Sequence, residues 1–568
     1  MLPRNVVQYG VFVLIVALLV KPTGVYLERV FCGKRTMLDP VLRRMEQAIY
    51  RIAGIRIDAE MDALTYALAV ILFGFVGTLL LYLLLRIQRI WPVGPNASTL
   101  ATPMSPDLAL NTSISFSTAT TWQAYAGETT MKYVSQVIGL AAQNVLAGAT
   151  GLAIGIAFIR GFARRKTPTL GNFWVDVTRA VLWVMLPLAL VGSVLLVWQG
   201  VPMNFSPYTH ATSLEGAAQI IPQGPVAGLT FVESLGTNGG GFFNANNAHP
   251  YQNPTGLSNL LEMLAVTVVP AALTYTFGRM VGRQRAGWVL FAVMLVLFIA
   301  GVAVCDWAER RGNPAVAAMH AIGGNMEGKE VRLGIGGSVL AAAVTSNGAT
   351  GAYNAMHDSF MPLGVLIPLS NMLLGEMIFG GLGTGLYSII MVALVGLFLA
   401  GLMIGRTPEY LGKKIGPTEL KLVMLYTLAY PIVIVFLTAL AVRTHAGLAG
   451  LTTNAGTHGY IEILYAYTSS AANNGQSMAG LSANSPFYNL TTALAMLVGR
   501  FFLAIPALLL AGRLAMQGRR TTTPGTLPSD TATVGAVTIG AAILIGALCF
   551  FPFLALGPIL EHFSLLRP

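Results

Sequence analysis

Four short strings of Thr, Asn and Gly recur along this 568-residue chain at nearly even distances. They are Thr120-Thr121, Thr237-Asn238-Gly239, Thr350-Gly351 and Asn473-Asn474-Gly475. From Thr121 to Gly239 is 118 residues, to Gly351 a further 112, and to Gly475 a further 124. Each string ends a short apolar stretch inside a long polar loop. Their chemistry is that of neutral oxygen. Glycine permits the backbone angles and the close approach that a carbonyl cage needs, and Thr and Asn add hydroxyl and amide oxygens. Four such turns around one axis would replace the hydration shell of a monovalent cation, the physical basis of a potassium filter. No carboxylate sits at the four turns, which disfavours a calcium-type site. Any one of them is an ordinary external turn; the regular repetition carries the signal.

The elements that must hold these turns are membrane helices. Hydrophobic residues make up 55% of the chain, charged residues only 10%, and the mean hydropathy is +0.67, so lipid must cover most of the surface. Apolar runs long enough to span a bilayer fall near 5–21, 63–86, 133–159, 179–199, 259–278, 287–306, 363–404, 421–442, 488–512 and 534–558. The first is read as a retained span, because Lys21-Pro22 follows it instead of a small-residue cleavage site. The seventh is too long for one span and carries a glycine-rich interruption. Span, re-entrant segment, span thus occurs four times, with one extra helix at each end. The expected fold is an all-α polytopic membrane protein of about ten helices, with four pseudo-symmetric helix–pore loop–helix repeats. The segments are 1–62 (first helix and basic segment), 63–165, 166–280, 281–410 and 411–520 (the repeats), and 521–568 (last helix).

The net charge of +11 reports orientation, not a polyanionic partner. Of 34 Lys and Arg, 23 fall in alternate loops, among them Arg43, Arg44, Arg164, Arg165, Lys413, Lys414 and Arg519. The long loop from Gly200 to Ser258 has none. By the positive-inside rule the basic loops are cytoplasmic, and the four turns and both termini are outside.

Arg500 lies well inside the ninth span, where a charge is costly unless it faces a cavity or a partner. Below a filter it would repel cations from straight passage to the cytoplasm. Glu376 sits in Gly375-Glu-Met-Ile-Phe-Gly-Gly-Leu-Gly-Thr-Gly385, whose five glycines break the seventh span. A gating loop is expected there, with Glu376 pairing with Arg406 or Arg500 or guiding the cation sideways. Cys32, Cys305 and Cys549 are too few and scattered for a disulfide or zinc framework. His357-Asp358-Ser359 is no hydrolytic triad, since adjacent residues cannot adopt that geometry.

Longer strings carry a resemblance to a known family: Gly236-Thr-Asn-Gly-Gly-Gly-Phe-Phe-Asn-Ala-Asn246, Asn325-Met-Glu-Gly-Lys-Glu330, Met356-His-Asp-Ser-Phe360, Gly401-Leu-Met-Ile-Gly-Arg-Thr-Pro-Glu-Tyr-Leu-Gly-Lys-Lys-Ile415 and Ser470-Ala-Ala-Asn-Asn-Gly475. Over essentially its whole length the chain resembles the A subunits of bacterial Kdp potassium-transporting ATPases. The resemblance implies a member of the superfamily of potassium transporters that takes K+ from outside and passes it through an intersubunit tunnel to a P-type ATPase subunit (KdpB). The small accessory subunits KdpC and KdpF and the cytoplasmic (inner) membrane are implied with it. Carried over by motif, the filter residues are Ala119, Thr120 and Thr121; Thr237, Asn238 and Gly239; Ala349, Thr350 and Gly351; and Asn473, Asn474 and Gly475. The first turn departs from the pattern: it has no glycine, and Ala119 stands where the family often has Asn.

The chain carries neither a G-x-x-x-x-G-K-[ST] phosphate loop nor the D-K-T-G motif of P-type pumps. It is therefore expected to bind no nucleotide, to hydrolyse no ATP by itself, and to carry K+ as its transported ion. Two other readings stay open. One is a stand-alone potassium channel or symporter of the same superfamily. The other is a membrane enzyme acting on lipid or glycan, which would need clustered acid, base or metal ligands outside; seven scattered histidines are not expected to supply them.

Overall fold

In hydrocarbon every backbone N–H and C=O must find a partner within the protein, and a helix provides one locally. The computed structural model describes residues 4–90, 104–319, 323–403, 405, 408–519 and 528–565. Among these, ten helices are long and apolar enough to cross a membrane. They are Asn5–Phe31, Ala63–Ile90, Ser135–Ala163, Phe173–Trp198, Gly256–Val281, Gln284–Ala318, Thr384–Met403, Pro417–Arg443, Pro486–Met516 and Ala532–Leu565.

Departures from the limits expected above have local causes. The first span does not stop at Lys21-Pro22: Pro22 lies inside a continuous helix, whose Val20 before the proline and Leu27 and Val30 beyond it are buried. The fourth begins at Phe173 because Asn172 caps it, its Oδ1 accepting from the N–H groups of Trp174 and Val175. The seventh run splits into Pro362–Leu373 and Thr384–Met403, with irregular backbone between them at the glycine-rich piece.

Four shorter helices lie between consecutive spans: Pro106–Ser117, Val226–Leu235, Gly334–Asn347 and Gly456–Ala472. The order span, short helix, irregular turn, span occurs four times, and the first and tenth spans stand outside it. Burial separates the two spans of each set. The central windows of the third, fifth, seventh and ninth are 89%, 78%, 72% and 56% buried, against 28%, 44%, 39% and 44% for the second, fourth, sixth and eighth. The span after each turn therefore faces the interior, and the one before it faces lipid.

At one end, charged side chains tie these layers together. Arg160 on the third span makes a two-pronged pair with Asp176 on the fourth (Nη1–Oδ2 2.5 Å, Nη2–Oδ1 2.8 Å), and Tyr66 of the second span donates to the same carboxylate at 3.1 Å. Lys413, wholly buried, donates from Nζ to the carbonyls of Arg164, Leu514 and Gln517 at 2.7–2.8 Å. These carbonyls close the C-terminal ends of the third and ninth spans, where a cation is favoured by the helix dipole.

Removing one partner of a buried pair strands the other charge, at a cost of about 3–5 kcal/mol. Asp176→Asn is therefore expected to lower the thermal midpoint of the detergent-solubilised chain, while Asp39→Asn, which loses only the exposed pair with Arg43, leaves it nearly unchanged. Equal midpoints in a scanning fluorescence assay would contradict the assignment of Arg160–Asp176 as a structural tie.

Candidate ion-binding site

Each of the four short helices ends in the same way. The residue after the last helical turn is left-handed although it is not glycine: Ala119 (φ 63°), Thr237 (φ 50°), Ala349 (φ 53°) and Asn473 (φ 57°). The next residue returns its N–H to a carbonyl five positions back, Thr120 to Ser115 (3.0 Å), Asn238 to Glu233 (2.9 Å), Thr350 to Thr345 (3.1 Å) and Asn474 to Ser469 (2.9 Å). This is a Schellman cap, which usually places glycine at the left-handed position. Here four L-residues accept roughly 1–2 kcal/mol of strain apiece. Strain repeated at four matching positions marks a constraint beyond helix termination.

The four caps meet. A Cβ on Gly239 would lie 2.7 Å from the backbone of Gly351, one on Gly351 would lie 3.2 Å from the carbonyl carbon of Gly475, and one on Gly475 would lie 2.1 Å from the carbonyl oxygen of Thr120. Thr121 closes the ring against Gly240 of the second turn. Gly239 (φ 135°) and Gly475 (φ 92°) are also left-handed, whereas Gly351 is not. The turns are therefore unequal, and the Gly351 N–H donates directly to the Asn238 carbonyl at 2.5 Å.

Ala119, Thr237, Ala349 and Asn473 all line one cavity of about 950 Å3, its open side included. All four short helices thus point their C-terminal ends at this space, and each end carries about half a negative charge. The arrangement favours a cation without supplying a carboxylate at the turns themselves.

Side chains of the turns brace more than they project. Asn238 donates to the Asn144 carbonyl at 2.6 Å, and Asn144 donates in return to the Gly239 carbonyl at 3.1 Å. Thr237 Oγ1 accepts from the Leu382 N–H at 3.0 Å. Asn473 donates to Thr120 Oγ1 at 2.8 Å and to the Met496 carbonyl at 2.9 Å. Asn474 donates to Glu376 Oε1 at 2.8 Å. The hydroxyls and amides anticipated as ligands are in large part a scaffold; the carbonyls of Thr120, Asn238 and Thr350 each accept one hydrogen bond, which leaves each a second lone pair.

Glu376 and Arg500 both line the same cavity and are buried. Glu376 is itself left-handed (φ 54°), in the irregular stretch between the two pieces of the seventh run. Arg500 sits in a π-helical turn, Val498–Phe502, and donates from Nη2 to the Ala147 carbonyl at 2.7 Å. Among the described residues no ion pair joins Glu376 to Arg500; the partner of Glu376 is Asn474, an uncharged amide. Arg406 lies outside the described residues.

Behind the turns lies a second layer, in which Gln476, Tyr465 and Glu309 are residues that sequence reasoning passed over. Gln476 donates to Thr345 Oγ1 (2.6 Å) and to the Thr350 carbonyl (3.3 Å), and accepts from Tyr465 (2.7 Å), whose hydroxyl also meets His357 Nδ1 at 2.8 Å. Burial, and then the charge of Lys329, holds His357 down at about 3, so it stays neutral. Lys329 in turn pairs with Glu309 at 2.8 Å, both side chains fully enclosed, while Asn325 and the Met361 N–H complete the carboxylate's bonds. The string Asn325–Glu330 is thereby the anchor of the third loop. Lone Gln and His residues in polar loops gave no signal of this.

Folding also brings His458 together with Asp358 and Glu462, ligand atoms within 4.8 Å of one another. Residues 100 apart in sequence meet there, a distance at which spacing carries no information.

The chain matches the family described as potassium-transporting ATPase A subunit over residues 10–563. It is 53% identical over 560 residues to the "Potassium-transporting ATPase potassium-binding subunit" of Methylobacterium nodulans, covering 99% of this chain and 97% of the relative. The protein of the same name from Mesorhizobium japonicum is 51% identical over 99% of this chain and 98% of its own length. In fold the chain is similar to the potassium transporter TrkH from Vibrio parahaemolyticus, with a TM-score of 0.52 at 14% identity, covering 86% of this chain and 96% of that one. Matched from near its first residue to near its last, the chain belongs to the potassium-transporting ATPase A subunit family.

Proposed function

We propose that this chain is the potassium-binding and translocating subunit of an ATP-driven high-affinity uptake complex. The observation that carries this is the convergence of four helix C-termini, through four left-handed caps, on one cavity beside a buried arginine. The segments 63–165, 166–280, 281–410 and 411–520 are the four repeats around that axis. A potassium ion enters from outside and exchanges water for the carbonyls of Thr120, Asn238, Thr350, Asn474 and their neighbours in the twelve-residue filter set. It leaves into the cavity below. There Arg500 opposes straight passage, because no carboxylate neutralises it within ion-pair distance among the described residues. Glu376, tied to the fourth turn through Asn474, links ion occupancy to the gating loop. Tyr426, Tyr430 and Phe550 also line the cavity, and in this reading an ATPase partner receives the ion on their side.

The energy source in this reading is a P-type ATPase subunit of the KdpB type, accompanied by KdpC and KdpF, in the bacterial cytoplasmic membrane. The filter faces outside and the basic loops face the cytoplasm. The relatives' name, potassium-binding subunit, supports the division of labour in which another chain binds nucleotide. Co-purification from detergent separates this from a free-standing channel: a P-type ATPase chain is expected in the same complex, and its absence from a transport-competent preparation would sink the pump reading.

Gly239→Asp is expected to raise the half-saturating potassium concentration of the reconstituted complex at least tenfold while assembly persists; an unchanged value rejects the filter assignment. Alanine should discriminate between turns. Gly351 has an ordinary φ and a Cβ would meet its neighbours only at 3.2–3.4 Å, so Gly351→Ala should impair affinity less than Gly239→Ala, with its 2.7 Å clash and left-handed φ. Arg500→Gln is expected to uncouple ATP hydrolysis from uptake more than it weakens potassium binding. Parallel loss of both quantities would count against a barrier.

A further inference from the structure

The cluster of Asp358, His458 and Glu462 belongs to no part of the potassium path. His458 and Glu462 sit in the first turns of the fourth short helix, about 20 Å of helix away from the cap at Asn473. Their i, i+4 spacing puts both on one face, one turn apart. Asp358 comes from the loop after the third turn, and its Oδ1 lies 3.1 Å from His458 Nε2. Glu561, in the final helix, lies 2.7 Å from His458 Nδ1.

Two features separate this group from an ordinary ion-pair patch. The first is its second layer. A carboxylate accepting the Nδ1 proton fixes the imidazole with Nε2 toward the other ligands, as in carboxylate–histidine–metal triads. The second is an unmet polar atom: Glu462 is fully buried (0% exposed), Asn454 occupies its Oε1 at 2.7 Å, and its Oε2 has no hydrogen-bond partner. Among the described residues no Lys or Arg pairs with Asp358, Glu462 or Glu561, so three carboxylates share one imidazole.

We propose that Asp358, His458 Nε2 and Glu462 form a binding site for a divalent transition cation of the zinc class, with Glu561 as its positioning carboxylate. One imidazole and two carboxylates suit such a cation better than the all-oxygen shells of magnesium or calcium. Three protein ligands leave a fourth position open to water. Ligand atoms of a tetrahedral zinc lie about 3.4 Å apart, so the three groups would draw in by about 1 Å. The bound cation would clamp the third loop, the fourth short helix and the last helix together, on elements that surround the filter without touching the ion.

The test uses the full chain in detergent, stripped with a chelator and titrated with Zn2+ by calorimetry and by competition with a chromophoric chelator. Expected are one saturable site and X-ray absorption showing one imidazole with oxygen ligands. His458→Ala should weaken binding by at least about 100-fold and Glu561→Gln by about 10-fold, within the range for outer-shell partners. Absence of saturable binding, affinity indifferent to both variants, or sulfur in the coordination shell would each overturn the proposal. The conservative Glu561→Gln keeps the test decisive should the alanine variant misfold. Since the readout is metal binding, its outcome is independent of whether the potassium assignment holds.

Discussion

An unpaired backbone carbonyl is forbidden in lipid and indispensable to a site that must strip water from an ion. This structure turns helix-end backbone toward one cavity at four places. Helical ends normally leave carbonyls for water or for caps; here four of them are aimed inward, and everything else about the molecule keeps them there. The span after each turn is the more deeply buried of its pair because it walls the site, while the span before it meets lipid. The side-chain amides of Asn144 and Gln476 bond the carbonyls of Gly239 and Thr350, and those of Asn473 and Asn474 tie the fourth turn to Thr120 and Glu376. Four strained, non-glycine caps persist because the surrounding bonds over-determine them.

The four turns share a cap but not a surface. Gly239 and Gly475 need their positive φ, Gly351 needs only the space, and Thr121 (φ 53°) fills the equivalent place in the first turn with a side chain. A channel gains from weak, equivalent sites that release ions quickly. Unequal turns above Arg500 fit a receiving site that holds an ion until another machine takes it. In the proposed function, the largely apolar cavity beneath holds Glu376, and its bond to Asn474 would connect occupancy of that site to the gating loop.

Much of this was legible in the sequence because membranes impose simple rules. Ten apolar runs read as ten spans, and the glycine-rich piece around Glu376 read as a break, since lipid tolerates few alternatives. The even spacing of the Thr, Asn and Gly strings located the caps. What stayed hidden was contact between distant residues. No pattern announced that Asn474 would meet Glu376, or that Lys413 would close two helix ends. Nor did composition place His458 beside Asp358, a hundred residues away. Pro22 misled for a different reason: a proline stops an isolated helix, but burial of Val20, Leu27 and Val30 carries this one through.

The central claim is that main-chain oxygens of four unequal caps hold the ion. Anomalous diffraction from Tl+-loaded crystals tests it most directly. The account predicts an anomalous peak on the axis within coordination distance of the carbonyls contributed by Thr120, Asn238, Thr350 and Asn474, above the cavity that holds Glu376. A principal peak against the Glu376 carboxylate, with the ring of carbonyls empty, would contradict it.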